Sequence, residues 1–209
     1  MSDIRQKPEG GDPINLLITR RISIHISEAL SFTPITPNQV TVFAFLLLIG
    51  AGLAFMHGYR LLGIVLLPLY QLFDCVDGEL ARMTGKGTRY GKWLDNALDN
   101  IGWGIFLLLA GFHLPAFYVV AALFGYYVST ITYLCGVITF GQRSGMTDIK
   151  GKSAASIILS GIRGFSINVQ MGIFMLGVLA EEMQLAFMAY ALYANVFWIV
   201  RLFKYRRLT

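Results

Sequence analysis

Charged residues are scarce in this chain. Only 14% of its 209 residues are Asp, Glu, Lys or Arg, and 56% are hydrophobic, whereas soluble domains usually carry about 25% charged residues. This deficit excludes an ordinary water-facing surface and indicates a membrane protein. A signal peptide is not expected either, because no isolated apolar segment near the N-terminus is followed by a small-residue cleavage site. We expect the first membrane helix to act as its own insertion signal.

Cysteine is equally rare, with only Cys75 and Cys135. Both lie in apolar stretches and are interpreted as small buried hydrophobic residues, so neither a disulfide nor a metal site is expected from them. Basic residues outnumber acidic ones by 17 to 12, which favours anionic partners such as phospholipid headgroups or phosphorylated substrates. Nucleic acid is not an expected partner, because the chain contains no soluble basic module.

Long apolar segments, in contrast, are abundant. A membrane helix needs about 20 mostly apolar residues. We predict six such spans, at 38–57, 61–82, 92–112, 114–140, 154–180 and 182–203. Residues 14–31 carry apolar residues at helical spacing with charges between them, which predicts an amphipathic helix at the membrane interface. The predicted fold is an all-α polytopic membrane protein, with a tail and interfacial helix in 1–37 and a six-helix domain in 38–209.

Basic residues predict the orientation of these spans. If the N-terminus is cytoplasmic, the cytoplasmic segments hold every lysine and arginine except Arg60, in agreement with the positive-inside rule. The opposite topology would reverse this distribution. We therefore predict that the protein lies in the plasma membrane. Both termini, and the connection between spans two and three, are predicted to lie on its cytoplasmic side.

Spans two and three contain carboxylates that hydropathy does not explain: Asp74 and Asp77 in the first, Asp95 and Asp99 in the second. Each would cost about 2.5–3.5 kcal/mol if it faced lipid. Helical spacing places each pair on one face, so two antiparallel helices would bring all four together near the cytoplasmic boundary. Like charges at one site need compensation, and Mg²⁺ or Mn²⁺ prefers carboxylate oxygens and substrate phosphates.

The string D-C-V-D-G-E-L-A-R, eight further residues, and G-K-W-L-D-N-A-L-D resembles the signature of the CDP-alcohol phosphotransferase family, D-x2-D-G-x2-A-R-x8-G-x3-D-x3-D. All eight fixed positions and every spacing agree. The matching residues are Asp74, Asp77, Gly78, Ala81, Arg82, Gly91, Asp95 and Asp99. The six-span layout extends the resemblance over most of the chain.

The resemblance implies a role for each matched position. The ligands of two divalent ions, Mg²⁺ or Mn²⁺, would be Asp74, Asp77, Asp95 and Asp99. Asp99 would also be the general base. The nucleotide and diphosphate would be bound by Gly78, Ala81, Arg82 and Gly91. An acceptor hydroxyl would attack the phosphorus of a CDP-linked alcohol and CMP would leave. The resemblance also suggests a homodimer.

Three residues near this site have two interpretations each. Glu79 lies on a different helix face from the aspartates and is expected to be solvated or paired nearby, or else to assist the nucleotide. Asn38 and Thr41 lie in a Pro-Asn-x-x-Thr segment. They form either an ordinary helix start or, as in similar family members, part of the nucleotide site.

The sequence indicates the acceptor-binding residues less directly. Arg163 and Arg201 lie just inside the edges of spans five and six, with Arg143 and Lys152 in the nearby loop. They form either a phosphate pocket for an acceptor such as inositol phosphate or glycerol phosphate, or basic residues that snorkel to the interface. The segment 19–23 looks like the membrane domains of inositol-phosphate-linking synthases, which favours inositol phosphate.

Other functions compatible with buried carboxylates are a cation channel or transporter, a catalytically inactive scaffold, and a family member with an uncharged acceptor such as serine or diacylglycerol. A channel does not explain why Gly78, Ala81 and Arg82 accompany the aspartates at fixed spacing. An intact set of four aspartates argues against the scaffold.

Overall fold

The structure is a computed structural model, and it describes residues 19–140 and 166–206. These residues form helices and, within the two ranges, no strand. The helices are α1 (Thr19–Ser31), α2 (Pro37–Met56), α3 (Arg60–Thr84), α4 (Arg89–Ala110), α5 (Ala116–Phe140), α6 (Ile167–Leu179) and α7 (Met183–Arg206). Helices α1–α4 form one compact unit, and α5–α7 belong to a second. The all-α prediction is confirmed for the described residues.

Among the residues that the structure describes, four helices are long and apolar enough to cross a membrane: α2, α3, α5 and α7. They coincide with predicted spans one, two, four and six, which supports a polytopic membrane protein. Helix α4 has 22 residues, but charged residues interrupt its apolar sequence. The predicted span 154–180 lies partly outside the described residues, and 13 of its residues form α6. Spans three and five therefore stay predictions.

The described part of the predicted amphipathic stretch 14–31 is helix α1, and α1 packs against α3. Its buried contact residues are Ser23 and Ser27, each 0% exposed. Ile26 and Leu30 pack partly against an apolar cluster of α2 and α3, whereas Ile22 is exposed. The contact therefore combines polar and apolar side chains, which the apolar periodicity alone did not indicate.

Helix α2 begins with a capping box. The Thr36 side chain accepts a hydrogen bond from the backbone N–H of Gln39, and the Gln39 side chain accepts one from the backbone N–H of Thr36. Pro37 occupies the first turn, where its missing N–H costs nothing. These bonds fix the first turn of α2, which carries Asn38 and is followed directly by Thr41, and they confirm that this segment starts a helix.

The connection between α3 and α4 is a short reversal. Gly85 ends α3 with a left-handed φ of 65°, a conformation that glycine adopts without steric cost. Thr88 caps α4, because its side chain accepts a hydrogen bond of 2.9 Å from the backbone N–H of Gly91. The two helices that carry the signature are thus joined at the end where the signature lies.

Helix α2 contacts both α3 and α4. A Cβ atom on Gly63 of α3 would overlap the Phe55 ring, so glycine at this position allows α2 and α3 to approach closely. Phe55 also packs edge-on against Phe106 of α4, at 6.0 Å between ring centroids. Because α2 is packed against both signature helices, it is the scaffold on which they are held.

The second unit is held by buried polar and aromatic contacts. Ser129 of α5 donates a 2.7 Å hydrogen bond to the carbonyl of Ala194 in α7. Tyr190 of α7 is fully buried and donates to the side-chain oxygen of Gln170 in α6, at 3.0 Å. Cys135 on α5 is exposed, so its interpretation as a buried residue is wrong. A helix suited to a membrane can expose apolar side chains to lipid, and burial within the protein is not required.

Candidate functional site

Three carboxylates from α3 and α4 converge. Asp74, Asp95 and Asp99 each offer an oxygen atom, and these atoms all lie within 4.8 Å of one another. Asp95 and Asp99 are one helical turn apart on α4, so they face α3 together. Each residue is half-buried. The structure thus brings together three of the four aspartates named from the sequence, in a cluster built by two helices of one unit.

The fourth aspartate, Asp77, has a separate partner. The Thr41 hydroxyl of α2 donates a 2.6 Å hydrogen bond to Asp77 Oδ2, and both side chains are 6% exposed. Asp77 is not part of the group of three whose oxygen atoms converge. Thr41 therefore forms a hydrogen bond to a signature aspartate as well as belonging to the helix start.

Two neutral side chains hold members of the cluster. The Tyr70 hydroxyl donates to Asp99 Oδ1 at 3.0 Å, and Gln71 Nε2 donates to Asp74 Oδ2 at 3.3 Å. Trp103 Nε1 in turn donates to the Tyr70 hydroxyl oxygen at 3.2 Å. Sequence reasoning missed all three residues. The signal was available for Tyr70 and Trp103, because each lies four residues from a signature aspartate on the same helix face.

No lysine or arginine within the described ranges forms an ion pair with any of the four aspartates. Several carboxylates at one place repel one another unless a cation or protons compensate them. Hard divalent cations such as Mg²⁺ and Mn²⁺ bind carboxylate oxygens. Converging oxygen atoms from Asp74, Asp95 and Asp99 therefore fit a divalent metal ion.

Small residues of the signature permit close contacts. A Cβ atom on Gly91 would lie 2.8 Å from Asn38 Oδ1, so glycine allows the start of α2 to pack against the start of α4. A Cβ atom on Gly78 would lie 3.3 Å from Arg82 Nη1, which places the guanidinium of Arg82 back over Gly78. Ala81 lies beside the connection, where a Cβ atom on Gly87 would be 3.9 Å from the Ala81 Cβ.

An open groove lies next to the contact between Asn38 and Gly91. It is lined by Asn38, Gln39, Val42, Tyr90 and Leu94. The lining combines the polar side chains of Asn38 and Gln39 with the apolar side chains of Val42 and Leu94, so the groove suits a molecule that carries both kinds of surface.

Glu79 is buried, with 8% of its surface exposed. Its Oε1 accepts a 2.9 Å hydrogen bond from Ser23, and its Oε2 accepts a 3.0 Å hydrogen bond from Ser27. The expectation that Glu79 is paired nearby is confirmed, and the expectation that it is solvated is wrong. Two serines on one face of α1 provide the donors that a buried carboxylate requires.

Of the basic residues assigned to an acceptor, only Arg201 lies within the described residues. Its Nη1 donates to the backbone carbonyl of Ser129 and to Thr132 Oγ1, and its guanidinium lies over the Tyr133 ring. Arg201 is thus anchored to α5 within the second unit. Arg143, Lys152 and Arg163 lie outside the described residues.

Several characterised proteins are similar to this chain. It is 38% identical over 125 residues to a bifunctional IPC transferase and DIPP synthase of Aquifex aeolicus, covering 57% of this chain and 28% of that protein. It is 36% identical over 76 residues to an archaetidylinositol phosphate synthase of Pyrococcus horikoshii, covering 36% and 40% of the two chains. It is 40% identical over 68 residues to a phosphatidylinositol phosphate synthase of Corynebacterium glutamicum, covering 32% and 31%. The chain spans less than half the length of these curated relatives.

Solved structures with the same fold include the phosphatidylinositol phosphate synthase of Mycobacterium tuberculosis. Its complex with CDP-DAG has a TM-score of 0.65 at 19% identity and covers 87% of this chain and 92% of that one. Its complex with manganese and citrate has a TM-score of 0.62 at 21% identity and covers 87% of each chain. At these identities the likeness shows the shared fold.

A family model settles the membership. The model described as CDP-alcohol phosphatidyltransferase matches residues 34–200. The matched region contains the complete signature from Asp74 to Asp99 and the three converging carboxylates. The chain belongs to the CDP-alcohol phosphatidyltransferase family.

Proposed function

We propose that this chain is a membrane CDP-alcohol phosphotransferase. It would transfer the phosphoalcohol group of a CDP-linked alcohol to an acceptor hydroxyl and release CMP. The observation that carries this proposal is the convergence of Asp74, Asp95 and Asp99 on the two helices that bear the complete family signature. A cation channel would not require that signature.

The four signature aspartates, Asp74, Asp77, Asp95 and Asp99, would hold two divalent ions, Mg²⁺ or Mn²⁺. When bound, these ions would neutralise the diphosphate and stabilise the leaving CMP. Two observations support this assignment: the converging oxygen atoms within 4.8 Å of one another, and a neighbour of the same fold solved in complex with manganese.

Asp99 would be the general base. In the transfer, the proton of the acceptor hydroxyl would pass to a carboxylate oxygen of Asp99 while the hydroxyl oxygen forms its bond to phosphorus. The bond between that phosphorus and the bridging oxygen of the diphosphate would break, and CMP would depart with that oxygen. Asp99 is the signature aspartate that accepts a hydrogen bond from Tyr70, which gives its carboxylate a defined orientation.

The nucleotide and its diphosphate would bind beside the aspartates. Arg82 would contact the diphosphate, because its planar guanidinium provides several donors in a fixed arrangement. Gly78, Ala81 and Gly91 would allow the substrate to approach the backbone, and Asn38 and Thr41 would line the same region. The contact of Asn38 with Gly91 and the hydrogen bond of Thr41 to Asp77 support including these two residues.

The donor is proposed to be a CDP-diacylglycerol type of lipid, and the acceptor to be inositol phosphate. This choice is supported by the names of the archaetidylinositol phosphate and phosphatidylinositol phosphate synthases that resemble the chain. The acceptor phosphate would bind to basic residues of the second half of the chain. Those residues would be Arg143, Lys152, Arg163 and Arg201.

The proposed setting is the plasma membrane, with six spans, both termini cytoplasmic and the active site facing the cytoplasm. Residues 1–37 would form a tail and interfacial helix, and 38–209 the catalytic membrane domain. A homodimer is the proposed assembly. The four helices of sufficient length and apolarity support the membrane location, and the distribution of basic residues supports the orientation.

A release assay for CMP tests the reaction. Purified protein in lipid nanodiscs is offered CDP-diacylglycerol with inositol phosphate, glycerol phosphate, serine or no acceptor. We expect CMP release with inositol phosphate that requires Mg²⁺ or Mn²⁺ and falls at least about 100-fold in Asp99→Asn. Glu182→Gln, which removes one exposed carboxylate from the second unit, is the charge-matched control and should retain activity.

Two results would contradict the proposal. The first is CMP release that persists in Asp99→Asn or in chelator. The second is an inactive wild-type protein that instead conducts cations across liposomes without any CDP-alcohol. If CMP release requires serine or diacylglycerol instead, the proposed reaction class stands and the proposed acceptor is wrong.

A further inference from the structure

Two consecutive hydrogen bonds connect the buried side chain of Trp103 to Asp99, the proposed general base. Trp103 Nε1 lies 3.2 Å from the Tyr70 hydroxyl oxygen, and that hydroxyl lies 3.0 Å from Asp99 Oδ1. We propose that Tyr70 is a positioning residue that orients the Asp99 carboxylate, and that Trp103 acts through Tyr70. This inference rests on the proposed function, because Asp99 is the base of that reaction. Neither Tyr70 nor Trp103 belongs to the family signature.

The chemistry of the three groups determines the direction of the bonds. An indole N–H can only donate, so the Tyr70 oxygen must accept from Trp103. The hydroxyl proton is then directed away from the indole and toward Asp99 Oδ1. An ionised carboxylate only accepts. The arrangement therefore selects one orientation of the Tyr70 hydroxyl, the one that donates to Asp99.

Burial makes this arrangement rigid. Tyr70 and Trp103 are each 1% exposed. Their rings pack edge-on at 6.3 Å, and Trp103 packs edge-on against Phe106 at 5.3 Å. Side chains confined in this way keep one rotamer, and a hydrogen bond away from water is electrostatically stronger than one at the surface. The Tyr70 hydroxyl is thus held in a fixed position from which it donates to Asp99.

A fixed donor matters because an aspartate carboxylate rotates easily. The terminal torsion of an aspartate has broad wells, unlike the sharply staggered torsions of aliphatic side chains. Once Oδ1 accepts from Tyr70, that rotation is restricted and the direction of Oδ2 is fixed as well. Side chains that hold a metal ligand or a catalytic group in this way commonly change metal affinity or activity about 10- to 100-fold when they are removed.

The test compares two tyrosines. Tyr70→Phe removes the donor to Asp99, whereas Tyr190→Phe removes a fully buried hydroxyl that donates to Gln170 at 3.0 Å in the second unit. For each full-length variant, the Mn²⁺ dissociation constant is measured on the substrate-free protein by electron paramagnetic resonance, and kcat and KM are measured by CMP release. We expect Tyr70→Phe to lower kcat about 10- to 100-fold and to weaken Mn²⁺ binding, with the KM for the CDP-alcohol within about threefold of the wild-type value. Tyr190→Phe should match wild type in all three.

A double variant tests the link between Trp103 and Tyr70. Because Trp103 is proposed to act only through the Tyr70 hydroxyl, Trp103→Phe should lower kcat by less than Tyr70→Phe does. In the Tyr70→Phe background it should lower kcat by no more than about twofold further, since residues that act as a unit are not additive. Melting temperatures identify any general loss of folding in Trp103→Phe. If that variant does not fold, the comparison of the two tyrosine variants decides.

The inference is overturned if Tyr70→Phe has the kcat and Mn²⁺ affinity of Tyr190→Phe. The role of Trp103 is overturned if the effects of the two substitutions multiply. Mn²⁺ binding is measured without substrate, so the Mn²⁺ affinities can be compared even if the protein does not catalyse the proposed reaction. A wild-type protein that binds Mn²⁺ but releases no CMP refutes the function, while the Mn²⁺ affinities still show whether Tyr70 orients Asp99.

Discussion

Thr41 and Asp77 form a hydrogen bond between α2 and the signature, at 2.6 Å between the hydroxyl and Oδ2. Both side chains are buried, so the hydroxyl provides a donor that water does not supply there. A donor to a buried carboxylate contributes about 1.5–3 kcal/mol. Thr41 is therefore expected to matter for stability and for the position of Asp77.

Thr41→Val should lower the stability of the metal-free protein by about 1–3 kcal/mol and reduce CMP release, because Asp77 loses its donor. Thr41→Ser keeps the hydroxyl and should retain most of both. Thermal unfolding in detergent and the CMP assay measure these effects. Thr84→Val is the matched control, since the Thr84 hydroxyl donates to the carbonyl of Leu80 within α3. Equal losses in the two valine variants would contradict a special role for Thr41.

Gly91→Ala tests the close contact between α2 and α4. The added Cβ would lie 2.8 Å from Asn38 Oδ1, so the Asn38 side chain must move. If Asn38 lines the nucleotide site, the KM for the CDP-alcohol should rise about tenfold or more, equivalent to about 1.4 kcal/mol. Gly172→Ala in α6 is the control, because a Cβ there meets nothing within 4 Å. That change should leave KM unchanged and stabilise the helix by about 0.5–1 kcal/mol. An unaltered KM in Gly91→Ala would remove Asn38 from the proposed site.

At the scale of helices, the contact between α1 and α3 depends on a buried polar group. Glu79 accepts from Ser23 and Ser27 across this contact. Removing the donors leaves a buried carboxylate unsatisfied, whereas replacing donors and acceptor together by apolar groups is much less costly. Substitutions of the two serines and of Glu79 are therefore expected to have strongly non-additive effects on the free energy of unfolding.

Ser23→Ala with Ser27→Ala should destabilise the protein by about 2–4 kcal/mol and increase amide hydrogen exchange in α1. Adding Glu79→Leu should restore part of that stability, because no unsatisfied carboxylate remains. Ser31→Ala is the control, since the exposed Ser31 hydroxyl donates only to the carbonyl of Glu28. If the triple variant is less stable than the double one, the energetic account of this contact is wrong.

Helix boundaries show what local sequence predicts well. The Thr36-Pro37 segment and the glycines after α3 predicted a helix start and a chain reversal, and both are observed. The face of α1 that contacts α3 was not predicted, because the serines Ser23 and Ser27 carry no apolar signal. Their role depends on Glu79, which lies 56 residues from Ser23 in the sequence.

At the scale of the whole molecule, the converging carboxylates make stability depend on divalent ions in a predictable way. Without a metal ion, Asp74, Asp95 and Asp99 repel one another at separations within 4.8 Å. A ligand that binds only the folded protein stabilises it by about 2.7 kcal/mol at one hundred times its dissociation constant. Removing the charge of one of these aspartates should therefore stabilise the metal-free protein and destabilise the metal-bound protein.

Asp95→Asn is expected to raise the melting temperature in chelator, because it relieves repulsion, and to lower it relative to wild type in saturating Mn²⁺, because a ligand is lost. Differential scanning fluorimetry in both conditions measures the two signs. Glu182→Gln should change neither. A melting temperature of the wild-type protein that does not respond to Mn²⁺ or Mg²⁺ would contradict the proposed metal site.

Composition and apolar length indicated a membrane protein, helical periodicity indicated an all-α fold, and the signature indicated the family. Composition, apolar length and helical periodicity are local properties, and they can be read without a structure. Which aspartates converge, and which side chains hold them, became visible when the helices were seen packed together. Thr41 and Asp77 are 36 residues apart, and Tyr70 and Asp99 are 29 apart. Periodicity shows which face of a helix a residue occupies, but the neighbour of that face is set by how the helices pack.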